Sequence, residues 1–394
     1  MQAHVRLLMQ AGYPVTVIAG RGESEALPSE ARLILLPQID SLHQEIREMN
    51  IALEAGLVPE AFDRFAEALV DSLINILDGL DILIVHNVFT KHFNLPLTAA
   101  LHRMIDAGSL PRTIAWSHDM TWTSPNSRNK VYPKYPWDLL RSFRKEITYV
   151  AVSDYRRHEL AMTFGIEPEQ IRVAYNGVDP QHTLGLSPEG FDLISRLSLM
   201  DAELILLMPV RITQAKNIEF AIRVAASIKS SGKCVKLILT GPPDPHDADN
   251  MRYYQSLKDL CREYHLEDTL HFIYESGPIP GQAYLIDEQI VGDLYRVSDV
   301  LFMPSHREGF GMPVLEAGLT GIPVVCTASP AAVEIGGDEV TNLSLEHGPE
   351  VVAGVIIRLV QSSPLLRLRR RIRQEYTWQA LFKSQVEPLL FPGT

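Results

Sequence analysis

Three cysteines in 394 residues are too few for a disulfide framework, and their positions, 234, 261 and 326, lack the spacing of a metal site. Cys234 and Cys326 lie in apolar, strand-like runs and Cys261 in a helix-like one. No run approaches the roughly 18 apolar residues that a membrane span requires. The start lacks the basic-then-apolar pattern of a secretory leader. These features set the expectation of a cytoplasmic protein. Positive charge is not in excess either: 36 Lys and Arg stand against 48 Asp and Glu, a net charge of -12. That balance argues against broad nucleic-acid binding, since phosphate contacts demand clustered cations, while leaving room for a local basic patch. Internal repeats and low-complexity segments are missing too.

What is present is a long chain with a globular apolar fraction, 46%. That length exceeds one ordinary core and predicts two domains of similar size. Short apolar runs suited to buried strands occur at 14–19, 33–36, 82–86, 113–117, 148–152 and 171–175, with helical patterns between them. A second series follows at 204–209, 234–240, 269–274, 300–303, 322–325, 332–335 and 340–343. Alternation of this kind predicts α/β domains with parallel, doubly wound sheets, whose ligands bind beyond the carboxyl ends of the strands.

The most informative stretch is 299–326, DVLFMPSHREGFGMPVLEAGLTGIPVVC. Its loop holds Gly309 and Gly311, so the backbone there can approach a ligand and expose its amides. Pro313 suits a first helical turn, where its missing amide costs nothing. The helix therefore begins at about Pro313, and its positive end lies over the loop as an anion site. Two carboxylates flank that site, Glu308 before the loop and Glu316 one turn into the helix. Standing alone, each reads as a solvated acid. Flanking an anion hole, each can grip paired hydroxyls of a sugar. The pattern is not a dinucleotide fingerprint, because Val314 stands where a third glycine is required.

Glu308 and Glu316, seven residues between them wrapped around GFGMP, resemble the retaining glycosyltransferases of family 4, which have the GT-B fold. The resemblance implies two Rossmann-like doubly wound domains facing across a cleft. It implies that Glu308 holds hydroxyls of the donor sugar, that Glu316 holds the ribose, and that Gly309, Phe310, Gly311, Met312, Val314 and Leu315 meet the diphosphate through their backbone. Arg211 and Lys216 follow the strand 204–209 and read as a solvated pair by themselves; in the resembled family an Arg and a Lys at this spacing clamp the diphosphate. His118 directly follows the strand TIAWS. It caps the strand or, by the resemblance, lines the cleft beside the donor sugar. His86-Asn87 is a weaker candidate for the acceptor.

Asp247-Ala248-Asp249 spells the DxD of metal-dependent glycosyltransferases of another fold, with His246 beside it. These residues precede a helix at 251–264 and suit its cap better than a metal. AYNGVDP at 174–180 marks, by the resemblance, the passage between domains. The expected division is 1–180, 189–363, and a C-terminal helix over 364–394 crossing back to the first domain. The arginine run 367–373 offers peripheral contact with anionic lipid; a solvated or inter-domain helix face is favoured. Met1 falls within what the resemblance makes the first helix, so the first domain is expected to lack its first strand and the chain to be N-terminally shortened.

The expected reaction is transfer of a hexose from a UDP or GDP sugar to a sugar, polyol or glycolipid hydroxyl, with retention and without metal or bound cofactor. An epimerase or hydrolase of the same fold, or a sugar-nucleotide binding protein without turnover, are the alternatives. Neither base, sugar nor acceptor is legible.

Overall fold

Val-, Ile- and Leu-rich runs form twelve parallel strands in the computed structural model, which describes residues 2–244 and 246–390. The chain divides into two units. One holds the residues up to Gly177 and those from Trp378 onward; the other is Val178–Thr377.

The first unit contains β1 (Thr16–Ala19), β2 (Arg32–Leu35), β3 (Ile82–His86), β4 (Arg112–Ser117), β5 (Ile147–Ala151) and β6 (Arg172–Val173). They form two sheets: β1 with β2, and β3-β4-β5-β6. Among the described residues β1 pairs only with β2, and β3 only with β4. A central parallel strand is normally covered on both faces and both edges. In β4 five of six residues are buried, whereas β3 buries only Val85 and β1 only Val17. Between β1 and β3 the strand pairing of the first unit is thus interrupted among the described residues.

The second unit contains β7 (Leu204–Met208), β8 (Val235–Leu239), β9 (Leu270–Phe272), β10 (Val300–Met303), β11 (Val324–Thr327) and β12 (Thr341–Leu343). Their order is β12-β11-β10-β7-β8-β9, all parallel. Strands β7 and β10 are buried throughout, as expected of strands covered by helices on both faces. The helix Ile218–Ser230 turns Ile218, Ala221, Ile222 and Ala225 inward, as its periodicity predicts. The order reverses between β7 and β10. Successive crossovers leave in opposite directions there, which opens a crevice at the carboxyl ends of those two strands.

Two expectations are corrected. The run 332–335 is not a strand: it lies in the helix Pro330–Gly336, where Pro330 opens the first turn and Ser329 Oγ accepts from the Ala332 amide at 3.3 Å. Four apolar residues fit a strand or a buried helix equally, and the cap decides. The tail is not one helix over 364–394 either. Pro364–Glu375 remains in the second unit, anchored by Arg373 on Asp299. Val178 then bridges Thr377, and its amide donates to the Tyr376 carbonyl at 2.9 Å. From Trp378 the chain belongs to the first unit, where Phe382, Val386 and Leu390 share a core with Leu7, Leu8, Ile114, Trp116 and Val150. Gly177 permits the switch, because a Cβ there would meet the Trp378 amide nitrogen at 2.7 Å.

Within the arginine run Arg369, Arg370 and Arg373 face their own unit, while Arg367 and Arg371 are exposed. Arg369 donates to the Arg296 carbonyl, Arg370 lies 3.6 Å from Glu203, and Arg373 is buried on Asp299. No single described helix is long and apolar enough to cross a membrane.

Candidate functional site

The reversal point of the second unit is where the sequence places its polar motifs. β7 and β10 pair with Leu206 opposite Val300 and Leu207 opposite Leu301, so the loops after them emerge side by side. Two hydrogen bonds tie those loops together. Asn217 Nδ2 donates to the Pro304 carbonyl at 3.1 Å, and the His306 amide donates to the Ala215 carbonyl at 2.9 Å. Asn217 sits at φ 51, a left-handed conformation that asparagine tolerates better than most residues. On the far side, Thr327 Oγ1 at the end of β11 donates to the Ser305 carbonyl at 2.6 Å.

This bracing brings Lys216 and Glu308 together. Lys216 Nζ lies 2.9 Å from both carboxylate oxygens of Glu308, with the Glu308 side chain only 10% exposed. Two oxygens on one ammonium make a charge-assisted pair, stronger than a neutral hydrogen bond. Arg211, near the start of the loop after β7, is exposed and has no ion pair among the described residues.

The glycine loop runs from Glu308 into the helix Met312–Thr320, one residue earlier than the sequence predicts. Gly311 is its N-cap at φ 86, which strains any residue with a Cβ, and no side chain caps the helix. Its first amides therefore stay open at the positive end of the dipole. Around Gly309 nothing stands within 4 Å of where a Cβ would be, so a ligand has access to the backbone. Phe310, Met312 and Leu315 are exposed around the opening. Val314 departs from expectation: its side chain is in the core and its amide donates to the Gly311 carbonyl at 2.9 Å, which removes it as an anion donor.

Glu316 is partly exposed, and its Oε2 accepts from the Tyr295 hydroxyl at 2.6 Å. Nothing in the sequence singles out Tyr295. It lies on the helix Glu288–Val297, where a buried tyrosine reads as core. Asp247 is the N-cap of Ala248–Glu263, accepting from the amides of Asp249 at 2.9 Å and Asn250 at 3.2 Å. Asp249 pairs with Arg252. Glu275 accepts from Lys258 Nζ at 2.7 Å.

In the first unit, His86 ends β3 and His118 directly follows the neighbouring β4. Their ring nitrogens, Nδ1 of His86 and Nε2 of His118, are 3.3 Å apart. Asn87 Oδ1 accepts from the His118 amide at 2.8 Å, which fixes the turn after β4. His4, not singled out in the sequence, completes the cluster: its ring lies 4.5 Å from that of Trp116 and 5.5 Å from that of His86. Both His4 ring nitrogens are buried without a partner among the described residues. Burial holds all three imidazoles below their ordinary value, His4 to about 4 and His86 to about 3. They are neutral near pH 7 and can each accept or donate one hydrogen bond. Beside them a cavity of about 290 Å³ is lined by Gly20, Arg21, Asp40, Asn87, Lys91 and Phe93 among others. His118 belongs to the first unit, and Glu308, Arg211 and Lys216 belong to the second.

Comparison with known proteins gives a match on each unit. Residues 2–182 match the family model Glycosyltransferase Family 4, and residues 193–377 match Glycosyl transferases group 1. An uncharacterized glycosyltransferase of Methanocaldococcus jannaschii is 26% identical over 60% of this chain and 58% of its own length. The mannosylglucosylglycerate synthase of Petrotoga mobilis is 25% identical over 68% of this chain and 64% of its own length. The matched stretches thus span about three-fifths of these relatives. Among solved structures, a glycosyltransferase from Rickettsia africae is similar at 18% identity and a TM-score of 0.37, covering 100% of this chain and 94% of its own.

Proposed function

The chain belongs to the family 4 and group 1 glycosyltransferases, with the two Rossmann-like domains of the GT-B fold, and on that premise we propose that it transfers a hexose from a nucleoside diphosphate sugar to an acceptor hydroxyl with retention of configuration. One observation carries the reading. The strand reversal sets a cation loop beside a carboxylate-flanked glycine loop at an uncapped helix N-terminus. An anion with hydroxyl groups on both sides, which a sugar diphosphate is, matches that order of groups.

In the proposed reaction the bond from the anomeric carbon to the phosphate oxygen breaks, and a bond from the same carbon to the acceptor oxygen forms. The acceptor proton passes to the departing phosphate oxygen. Arg211, Lys216 and the open amides at Gly311 and Met312 stabilise the charge that develops on the diphosphate. Glu308, held in place by Lys216, takes hydroxyls of the hexose, and Glu316 takes those of the ribose. Backbone at Gly309 and Phe310 gives the diphosphate close approach. With two cations and a helix dipole assigned to the leaving group, no metal is needed for this role, and Asp247 is committed to its cap. In the first unit, His118 and His86 offer neutral imidazoles to sugar hydroxyls, and the cavity beside them suits a sugar or polyol acceptor. A relative named for making mannosylglucosylglycerate supports that acceptor class.

The test is incubation with UDP- and GDP-hexoses, with and without a panel of monosaccharides, polyols and glycolipids, read by NMR of the anomeric proton. The expected product is a glycoside that keeps the donor's anomeric configuration and forms only with acceptor. Inverted product contradicts retention. Turnover without acceptor identifies a hydrolase or epimerase, and binding without turnover a sugar-nucleotide binding protein.

A further inference from the structure

A glutamate one turn inside a helix has several rotamers, and fixing one on a ligand costs affinity. Glu316 is spared most of that cost. The Tyr295 hydroxyl holds its Oε2 at 2.6 Å. No other side chain donates to that carboxylate among the described residues. Tyr295 itself has little freedom: it is 2% exposed, on the helix Glu288–Val297 that leads into β10. Its only other acceptor among the described residues, the Pro313 carbonyl, is 3.4 Å away, too long to compete for the single hydroxyl proton. Burial, reinforced by Glu316, pushes the phenol well above its ordinary value, so it remains a donor.

We propose that Tyr295 is the positioning residue of the nucleotide site: by pinning one oxygen of Glu316 it sets the carboxylate plane that takes vicinal hydroxyls, and it thereby makes the site select ribose over deoxyribose. The inference rests on the reading of Glu316 as the ribose ligand. Two hydroxyls on adjacent carbons hydrogen-bond well to one carboxylate only when its plane is fixed against rotation. Tyr295 donates from the core side, so Oε1 and the remaining lone pair of Oε2 stay open to the ligand.

The experiment titrates UDP, GDP and ADP by calorimetry, then compares whichever binds with its 2′-deoxy form. For the wild-type chain the ribonucleotide is expected to bind roughly tenfold or more tightly than the deoxy form. Tyr295→Phe, which keeps the ring in the core, is expected to weaken the ribonucleotide about tenfold and leave the deoxy form unchanged, so the preference collapses. A purely packing role leaves the preference intact. Glu316→Gln separates the two readings. If it keeps the ribose preference, the ribose assignment fails and this inference with it; if it loses the preference while Tyr295→Phe keeps it, only the role of Tyr295 is overturned. Should Tyr295→Phe melt far below wild type, Glu316→Asp serves instead, since its shorter side chain cannot reach Tyr295 and the ribose together. Retained preference there also overturns the proposal. Failure of all three diphosphates to bind the wild-type chain removes the donor site and this inference together.

Discussion

Replacing Arg373 by methionine is expected to destabilise the second unit more than any substitution at its surface. Arg373 donates through Nη1 to Asp299 Oδ1 at 3.1 Å and through Nη2 to Asp299 Oδ2 at 2.9 Å, with the two side chains 4% and 2% exposed. Nη2 also reaches the Ala202 carbonyl at 2.9 Å, and Asp299 Oδ2 accepts from the Ile205 amide at 2.9 Å. The pair thus locks the helix Pro364–Glu375 to the entry of both β7 and β10, the strands whose far ends carry Lys216 and Glu308. Methionine fills similar space but leaves Asp299 buried with a single amide donor. Stranding one member of a buried pair costs about 3–5 kcal/mol. For a unit the size of Val178–Thr377 each kcal/mol lowers Tm by roughly 2–4 °C, so the expected drop is roughly 6–20 °C. All four tryptophans, at 116, 122, 137 and 378, lie in the first unit, so calorimetry and far-UV circular dichroism are the probes, not tryptophan emission. The double variant Arg373→Met/Asp299→Asn is expected to recover much of the loss, because no charge is then left buried alone. A single variant within about 2 °C of wild type, or a double variant worse than both singles, refutes the account.

Three further outcomes are expected. Lys216→Met removes the proposed diphosphate cation and the partner of Glu308, and should weaken UDP or GDP binding roughly tenfold to a hundredfold while sparing the nucleoside; equal losses for diphosphate and nucleoside contradict the proposed placement. Acid should destabilise the first unit: with His4 at about 4 and His86 at about 3 in the folded state, the unfolded chain binds more protons below about pH 6.5. Stability complete above that pH is lost as pH falls towards 4, by up to about 3 kcal/mol for each ring, and His4→Phe should flatten the melting profile; an unaltered slope refutes the linkage. Transfer should survive EDTA, since in the proposed reaction Arg211, Lys216 and the helix amides neutralise the leaving group; activity lost to EDTA and restored by Mn refutes this.

Short-range patterns make much of this protein legible from its residues alone. Apolar runs mark most strands, helical periodicity marks the buried face of Ile218–Ser230, and the glycine loop between Glu308 and Glu316 marks the site, because each depends on residues within one turn or one strand. The 332–335 run shows where that logic stops: four apolar residues have no period long enough to separate strand from helix, and the Ser329 cap settles it. Only tertiary structure decides which loops meet. The order β12-β11-β10-β7-β8-β9 places β7 against β10, and so brings Lys216 to Glu308 across 92 residues of sequence. The same folding withdraws Val314 into the core and gives Glu316 its tyrosine from another helix. It also divides the tail at Thr377 and Trp378, because Arg373 finds its buried carboxylate in one unit and Trp378 its apolar neighbours in the other. Backbone preference acts over a few residues, whereas burial and charge pairing select partners from the whole folded chain; composition and spacing name the groups of a site, and packing alone chooses which of them touch.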